Sequence, residues 1–418
     1  MAKLVIQGEK VIKGTIEASG AKNAALPLMA ASLLASGDVV LKRIPNITDV
    51  HVMIELLRYL GADIEYDGKS DMKINCDRVR VTKAPYELVK KIHASFDVAG
   101  PLLARFHEAQ VPLPGGCVLG YRGVNFHIDG FQALGAQVNL EHGYVCLNSN
   151  NLFGNKIYVG RASVGATKNI MMAACLAEGT TLLENVAREP EVVDLANFLN
   201  ALGAKITGAG GDKISIVGAS HLKGTSYSII SDRIEAGTYL IAGAVTGGEV
   251  TVTKIQPHML EPLLIKLESA NLEVVRSENS ITVKNNGNLF AIDHIMTAPY
   301  PGFPTDLQAP IVALLTKACG ISMIEETIFD GRFSYVPELQ RMGADIRVAD
   351  HTAVVKGVEA LTGAPVEAPD IRAGGALVLA GFAAKGQTEV GGLEYIDRGY
   401  EKIEEKFTSL GADIKRVL

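Results

Sequence analysis

The chain contains no tryptophan, and aromatic residues make up only 6% of it, so packing must lean on Ala, Val, Ile and Leu. Its five cysteines (Cys76, Cys117, Cys146, Cys175 and Cys319) form no CxxC and no metal-ligand spacing, so no metal is expected. An odd, scattered set of thiols suits a reducing cytoplasm. No apolar run is long enough to span a bilayer, and MAKLVIQGEKVIKG alternates and carries Glu9 where a secretory signal would be uninterrupted. A membrane partner is therefore not expected. There is no excess of positive charge either; the net charge of -6 argues against a broad nucleic-acid-binding face. P-loop, GxGxxG, HExxH and GxSxG patterns are all missing, so triphosphate hydrolysis, nicotinamide chemistry and serine hydrolysis lose support, and no cofactor is expected.

What is present is repetition. With 418 residues, 48% of them hydrophobic, the chain can bury a sizeable core, and its length points to two or three domains. The phrases YLGADIEYDG, ALGAQVNLEHG, ALGAKITGAGG, ESANLEVVRSE, RMGADIRVADH and SLGADIKRVL recur at intervals of roughly 70 residues. Amphipathic helices precede them, as at Asp49–Leu60, Val192–Leu202 and Arg398–Leu410, and alternating residues then begin a strand. A second helix type, seen in LPLMAASLLASG, KNIMMAACLAEG, TYLIAGAVTGG, APIVALLTKACG and ALVLAGFAAKG, is apolar nearly all round and belongs inside a core. The segment Phe96–Phe106 is a less regular variant. Six such units predict an α/β (α+β) protein of two domains with three units each.

The starts of the buried helices carry the chemistry. They read SGAKN, IHAS, RASVGAT, SDRIEAG, FPTD and DIRAGG; most combine a capping Ser, Thr or Asp with glycine, and four carry Lys or Arg. Helix N-termini offer unpaired amides and a positive dipole end, so they are natural anion sites. Lys22 opposes that dipole unless an anion compensates. Asp306 reads as a first-turn acid or cap, or as a base. Arg372 and Arg398 each follow an aspartate, which fits a local ion pair or a clamp on carboxylate and phosphate. In PLPGGCVLGYRG, Gly115, Gly116 and Gly120 make a flexible loop around Cys117, and Arg122 favours its thiolate. Cys146, Cys175 and Cys319 lie in strand or apolar helix and read as inert packing.

SGAKNAALP, LPGGCVLGYRGVNFHI, SVGAT, ENVAREPEVVD, FPTDLQ, VPELQRMGA and YIDRGYEKIE are collinear along the whole chain. Together they closely resemble the UDP-N-acetylglucosamine 1-carboxyvinyltransferase family, enolpyruvyl transferases of the first committed step of bacterial peptidoglycan synthesis. The related shikimate-pathway transferases share the architecture and lack the cysteine loop. The resemblance implies two inside-out α/β barrel domains, residues 22–230 and residues 1–21 plus 231–418, with the active site in the cleft between them. It implies transfer of the enolpyruvyl group of phosphoenolpyruvate to the 3-hydroxyl of UDP-N-acetylglucosamine, with phosphate released and no cofactor.

By the same resemblance Cys117 is the loop acid, forms a covalent adduct with phosphoenolpyruvate, and is the residue that fosfomycin alkylates. Lys22, Arg122 and Arg398 would hold phosphate and carboxylate, with Arg372 nearby, and Asp306 would take or orient the hydroxyl proton. Asn23, Ser163, Val164, Gly165 and Ile328 would contact the nucleotide sugar, and Gly123, Val124, Asn125 and Phe126 would add loop contacts. Three positions depart from the family: His93 for Arg, Arg161 for Lys, and Asn125 for Asp. They bear on nucleotide-sugar affinity more than on reaction type. Two other readings are a nucleotide-sugar sensor with Cys117 as a redox switch and a shikimate-type transferase.

Overall fold

Each recurring helix-to-strand phrase turns on a residue with left-handed backbone: Gly61 (φ 109°), Gly135 (98°), Gly203 (109°), Asn271 (68°), Gly343 (89°) and Gly411 (88°). Five are glycines, which bear this conformation without a Cβ penalty, and the sixth is asparagine, the next most tolerant residue. The turn stops an amphipathic helix and reverses the chain into a strand. A computed structural model describes residues 2–113 and 123–417, so Cys117 and Arg122 lie outside the described residues. The described chain divides into two compact units, residues 20–113 with 123–230, and residues 2–19 with 231–417.

The first unit carries helices α1 (Lys22–Ala31), α2 (Thr48–Leu60), α3 (Tyr86–Val89), α4 (Ala99–Phe106), α5 (Asn125–Ala133), α6 (Val164–Ala174) and α7 (Pro190–Ala201). One sheet orders its strands Ser226–Ser228, Asp38–Lys42, Met72–Asn75, Asp63–Tyr66, and another Lys156–Tyr158, Thr180–Glu184, Lys213–Val217, Lys205–Thr207. In both, the first pair is parallel and the next two are antiparallel. A third sheet, Glu108–Pro112, Tyr144–Asn148, Gln137–Glu141, has only the antiparallel pairs, and a single parallel bridge, Lys83 to Gln110, stands where the fourth strand would be.

The second unit carries α8 (Arg233–Val245), α9 (Glu261–Ser269), α10 (Gln308–Leu315), α11 (Val336–Arg341), α12 (Ile371–Ala383), α13 (Leu393–Ile396) and α14 (Ile403–Ser409). Its sheets are Lys13–Glu17, Glu249–Thr253, Ser280–Lys284, Glu273–Ser277; then His294–Met296, Ile321–Glu325, Thr352–Lys356, Asp345–Ala349; then Pro365–Glu367, Gln387–Gly391, Lys3–Gln7, Asp413–Val417. All three repeat the one-parallel, two-antiparallel pattern. The two N-terminal strands thus complete sheets built mainly from residues beyond 248, which ties the chain's beginning to this unit.

The apolar helices are interior. Every residue of α8 is buried, as is Arg372 through Phe382 of α12, and α8, α10 and α12 pack on one another. Small residues allow this: a Cβ on Gly375 would stand 2.5 Å from the Tyr400 hydroxyl oxygen, and one on Gly237 would stand 2.8 Å from Leu307. Among the described residues, no helix is long and apolar enough to cross a membrane.

Three expectations need correction. The helix expected over Arg398–Leu410 is α14, Ile403–Ser409, because Lys402 (φ 45°) takes left-handed backbone and restarts the chain. Phe96–Phe106 is split into a 3-10 turn, His93–Val98, followed by α4. Cys319 is exposed, not packed: α10 ends at Leu315, and the chain comes to the surface at Cys319, directly after buried Ala318.

Candidate active site

In the first unit Lys22 opens α1 and is 8% exposed. Its Nζ lies 2.7 Å from Oδ2 of Asp49, a buried first-turn residue of α2. This carboxylate is the anion that a cation at a helix start calls for. Asn23 follows, half-buried. Ser163 caps α6, its Oγ accepting from Ala166 N at 3.3 Å. The amides of Val164 and Gly165, first in the helix, have no intrahelical acceptor.

A Cβ on Gly165 would stand 3.2 Å from His127 Nε2, so glycine lets this helix start meet the ring. His127 is buried on α5, and Asn169 Nδ2 donates to its Nδ1 at 3.1 Å and to Phe96 O at 3.0 Å. That bond places the ring proton on Nε2. Burial, helped by His93 and Lys168, pulls the His127 pKa down to about 3, so the ring is neutral. Burial likewise pushes the Asp97 carboxyl up, opposed by Lys168, whose Nζ is 3.8 Å away. His93 opens the 3-10 turn and is half-buried; Arg161 and Asn125 are exposed. Val124 is buried ahead of α5, Gly123 is half-buried, and Phe126 packs on Gly160, whose Cβ would stand 2.7 Å from its ring.

In the second unit the sequence Phe303–Asp306 forms a tight turn: Pro304 leads into a 3-10 turn, Thr305–Leu307, that feeds α10. Asp306 is neither a cap nor a locally paired acid. Its Oδ1 accepts from Arg332 Nη2 at 3.1 Å and its Oδ2 from Arg372 Nη2 at 2.9 Å. Arg332 is 2% exposed and also donates from Nη2 to Thr305 O at 3.0 Å. Burial works against the charge on Arg372, but Asp306, with Tyr400 and Asp232, outweighs it and holds the guanidinium above its ordinary pKa. Among the described residues, Arg372 Nη1 is buried without a hydrogen-bond partner. It lies 3.8 Å from where a Cβ on Gly399 would stand, beside half-buried Arg398.

Ile328, half-buried, is held through its N–H, which donates to Glu326 Oε1 at 2.8 Å. The two Asp caps revise the anion-site expectation: Asp232 accepts from Ile234 and Glu235 amides, and Asp370 from Arg372 and Ala373 amides. The starts of α8 and α12 therefore meet their own carboxylates.

The structure thus joins Asp306 directly to Arg372 and brings the Arg398 turn against Arg372. In the other unit it seats Gly165 on His127. Sequence reasoning missed Asp49, Arg332, Glu326 and His127. Asp49 and His127 lie within helices whose apolar spacing draws attention elsewhere, and Arg332, in IFDGRFSY, is the one basic residue in a segment with three aromatics. Among the described residues, no group of three or more His, Cys, Asp or Glu side chains could hold a metal ion.

The family model described as EPSP synthase (3-phosphoshikimate 1-carboxyvinyltransferase) matches residues 6–407. The chain belongs to this family of carboxyvinyltransferases. Within it, the chain is 50% identical to UDP-N-acetylglucosamine 1-carboxyvinyltransferase 2 of Carboxydothermus hydrogenoformans and 50% identical to UDP-N-acetylglucosamine 1-carboxyvinyltransferase of Clostridium botulinum, in each case over 100% of both chains. Among solved structures it is similar to the enolpyruvyl transferase NikO from Streptomyces tendae (TM-score 0.89, 26% identity, covering 100% of this chain and 99% of that one). It shares its fold with EPSP synthase from Acinetobacter baumannii (TM-score 0.76, 20% identity, 100% of both chains).

Proposed function

We propose that this chain transfers the enolpyruvyl group of phosphoenolpyruvate to the 3-hydroxyl of UDP-N-acetylglucosamine, releasing phosphate. The end-to-end match, at half identity, to relatives named for this activity carries the reading. The geometry agrees with it. In the addition step, Cys117 protonates the methylene carbon, cationic character gathers on the central carbon, and the sugar oxygen attacks there. Asp306 orients the hydroxyl and receives its proton, and the two arginines that donate to its oxygens hold the carboxylate in place. In the elimination step the tetrahedral ketal loses phosphate and the added proton, restoring the vinyl ether.

Lys22, Arg122, Arg372 and Arg398 hold the phosphate and carboxylate. Arg372 Nη1, charged, buried and without a partner among the described residues, is the donor best prepared for an anion. Asn23, His93, Arg161, Ser163, Val164, Gly165 and Ile328 contact the nucleotide sugar, joined by residues 123–126. The product serves bacterial peptidoglycan synthesis, and the free thiols of Cys76, Cys146, Cys175 and Cys319 support a cytoplasmic location. Phosphate release tests the reading: it should require both substrates together, and none with the pair at generous concentrations rejects it.

A further inference from the structure

Glu326 occupies a position that the reaction outlined above does not use. It is 2% exposed, and both carboxylate oxygens are engaged. Oε1 accepts from Ile328 N at 2.8 Å, Phe329 N at 3.1 Å and Thr297 Oγ1 at 3.0 Å. Oε2 accepts from Thr305 Oγ1 at 2.9 Å. Thr297 is itself fixed on the far side, accepting from Thr327 N at 2.9 Å. Besides Thr297, one carboxylate therefore grips two separate turns: the one that presents Ile328, and the one whose next residue is Asp306. Thr305 is bound twice, through its hydroxyl to Glu326 and through its carbonyl to Arg332, and Arg332 also donates to Asp306. The chain of contacts runs from Ile328 through Glu326 and Thr305 to Asp306.

A charge buried this completely is costly unless its hydrogen bonds are satisfied, and here they are, so the arrangement is stiff. An apolar side chain of the same size would fill the space without fixing the distance between the two turns. We propose that Glu326 is a positioning residue that sets the spacing between the Ile328 contact and the Asp306 carboxylate. It thereby holds one nucleotide sugar at two points along its length, the nucleotide end and the reacting hydroxyl. This rests on the functional reading above, in which both residues meet that substrate. A misplacement of about 1 Å at the hydroxyl is enough to slow such a reaction about a hundredfold.

The two halves of the grip can be separated. Thr305→Val removes the hydroxyl bond at nearly constant volume and leaves the Ile328 and Phe329 amides bound. Its kcat should fall about tenfold or more while KM for UDP-N-acetylglucosamine stays within about threefold. Thr305→Ser should recover most of kcat. Glu326→Gln keeps an acceptor for the amides and a donor for Thr305, so it should lose less than Glu326→Ala, which should lower kcat and raise KM together. Thermal unfolding identifies any variant that fails to fold, and Thr305→Val keeps the test decisive if Glu326→Ala is one of them. A folded Thr305→Val with wild-type kcat, or one not rescued by serine, overturns the assignment alone. A wild type that does not turn over this substrate pair overturns the functional reading and the assignment with it.

Discussion

Lys22 Nζ and Asp49 Oδ2 stand 2.7 Å apart, with 10% and 3% of their side chains exposed. A buried pair is a modest source of net stability, but removing one partner leaves the other charge in a poor solvent. Lys22→Met should cost about 3–5 kcal/mol in unfolding free energy. Adding Asp49→Leu should restore much of that stability and none of the turnover. If the double variant is as active as wild type, Lys22 plays no part in binding phosphate. Denaturant unfolding and steady-state rates on the same samples separate the two effects.

Asp306 sits between two guanidinium groups, and Asp306→Asn keeps its shape while deleting its capacity to take a proton. The expected loss in kcat is about a hundredfold or more, with a much smaller change in KM for the nucleotide sugar. A variant with normal kcat would remove Asp306 from the proton path.

His127 gives a pH dependence whose sign follows from its depressed pKa. The ring protonates near 6.5 when unfolded and near 3 when folded, so the unfolded state binds the extra proton first as pH falls. Stability from this group is fully present above 6.5 and drains away between 6.5 and about 3. Within that window the slope is about 1.4 kcal/mol per pH unit. Asp194 runs the other way: burial raises it from 3.8 to about 6, so its contribution is lost as pH rises through that range. The two partly cancel in wild type, and His127→Asn should therefore lose less stability on acidification than wild type does. Urea unfolding at two pH values checks the difference; equal slopes would mean that the ring is not buried neutral.

The proposed reaction makes Cys117 the acid, and the family resemblance makes it the residue that fosfomycin alkylates. Cys117→Asp should retain turnover, since a carboxyl also donates a proton, and should no longer be alkylated. Intact-protein mass measurement after exposure to fosfomycin reads this directly, and a persistent adduct in the variant would locate the reactive group elsewhere.

The elements legible in the sequence were those governed by local rules. The left-handed turns at Gly61, Gly135, Gly203, Gly343 and Gly411 follow from the need for a residue without a Cβ, and the Ser163, Asp232 and Asp370 caps lie next to the amides they satisfy. The apolar helices announced their burial by lacking a polar face. The partners of functional charges were not legible: Arg332 and Arg372 reach Asp306 across 26 and 66 residues, and no periodicity connects positions so far apart. Lys22 shows the boundary between the two. Its charge at a helix start called for an anion, and only the fold could name Asp49. The same limit explains the misreading of Cys319, where an apolar run suggested core but the helix ended four residues earlier, at Leu315.

The most direct measurement runs the reaction in deuterium oxide with both substrates and follows it by proton and phosphorus NMR. An enolpyruvyl transfer through a tetrahedral ketal predicts a vinyl ether on the 3-oxygen of the sugar, an equal amount of inorganic phosphate, and deuterium washed into the vinyl methylene. Phosphate without the vinyl ether, or a vinyl ether free of deuterium, would contradict the account.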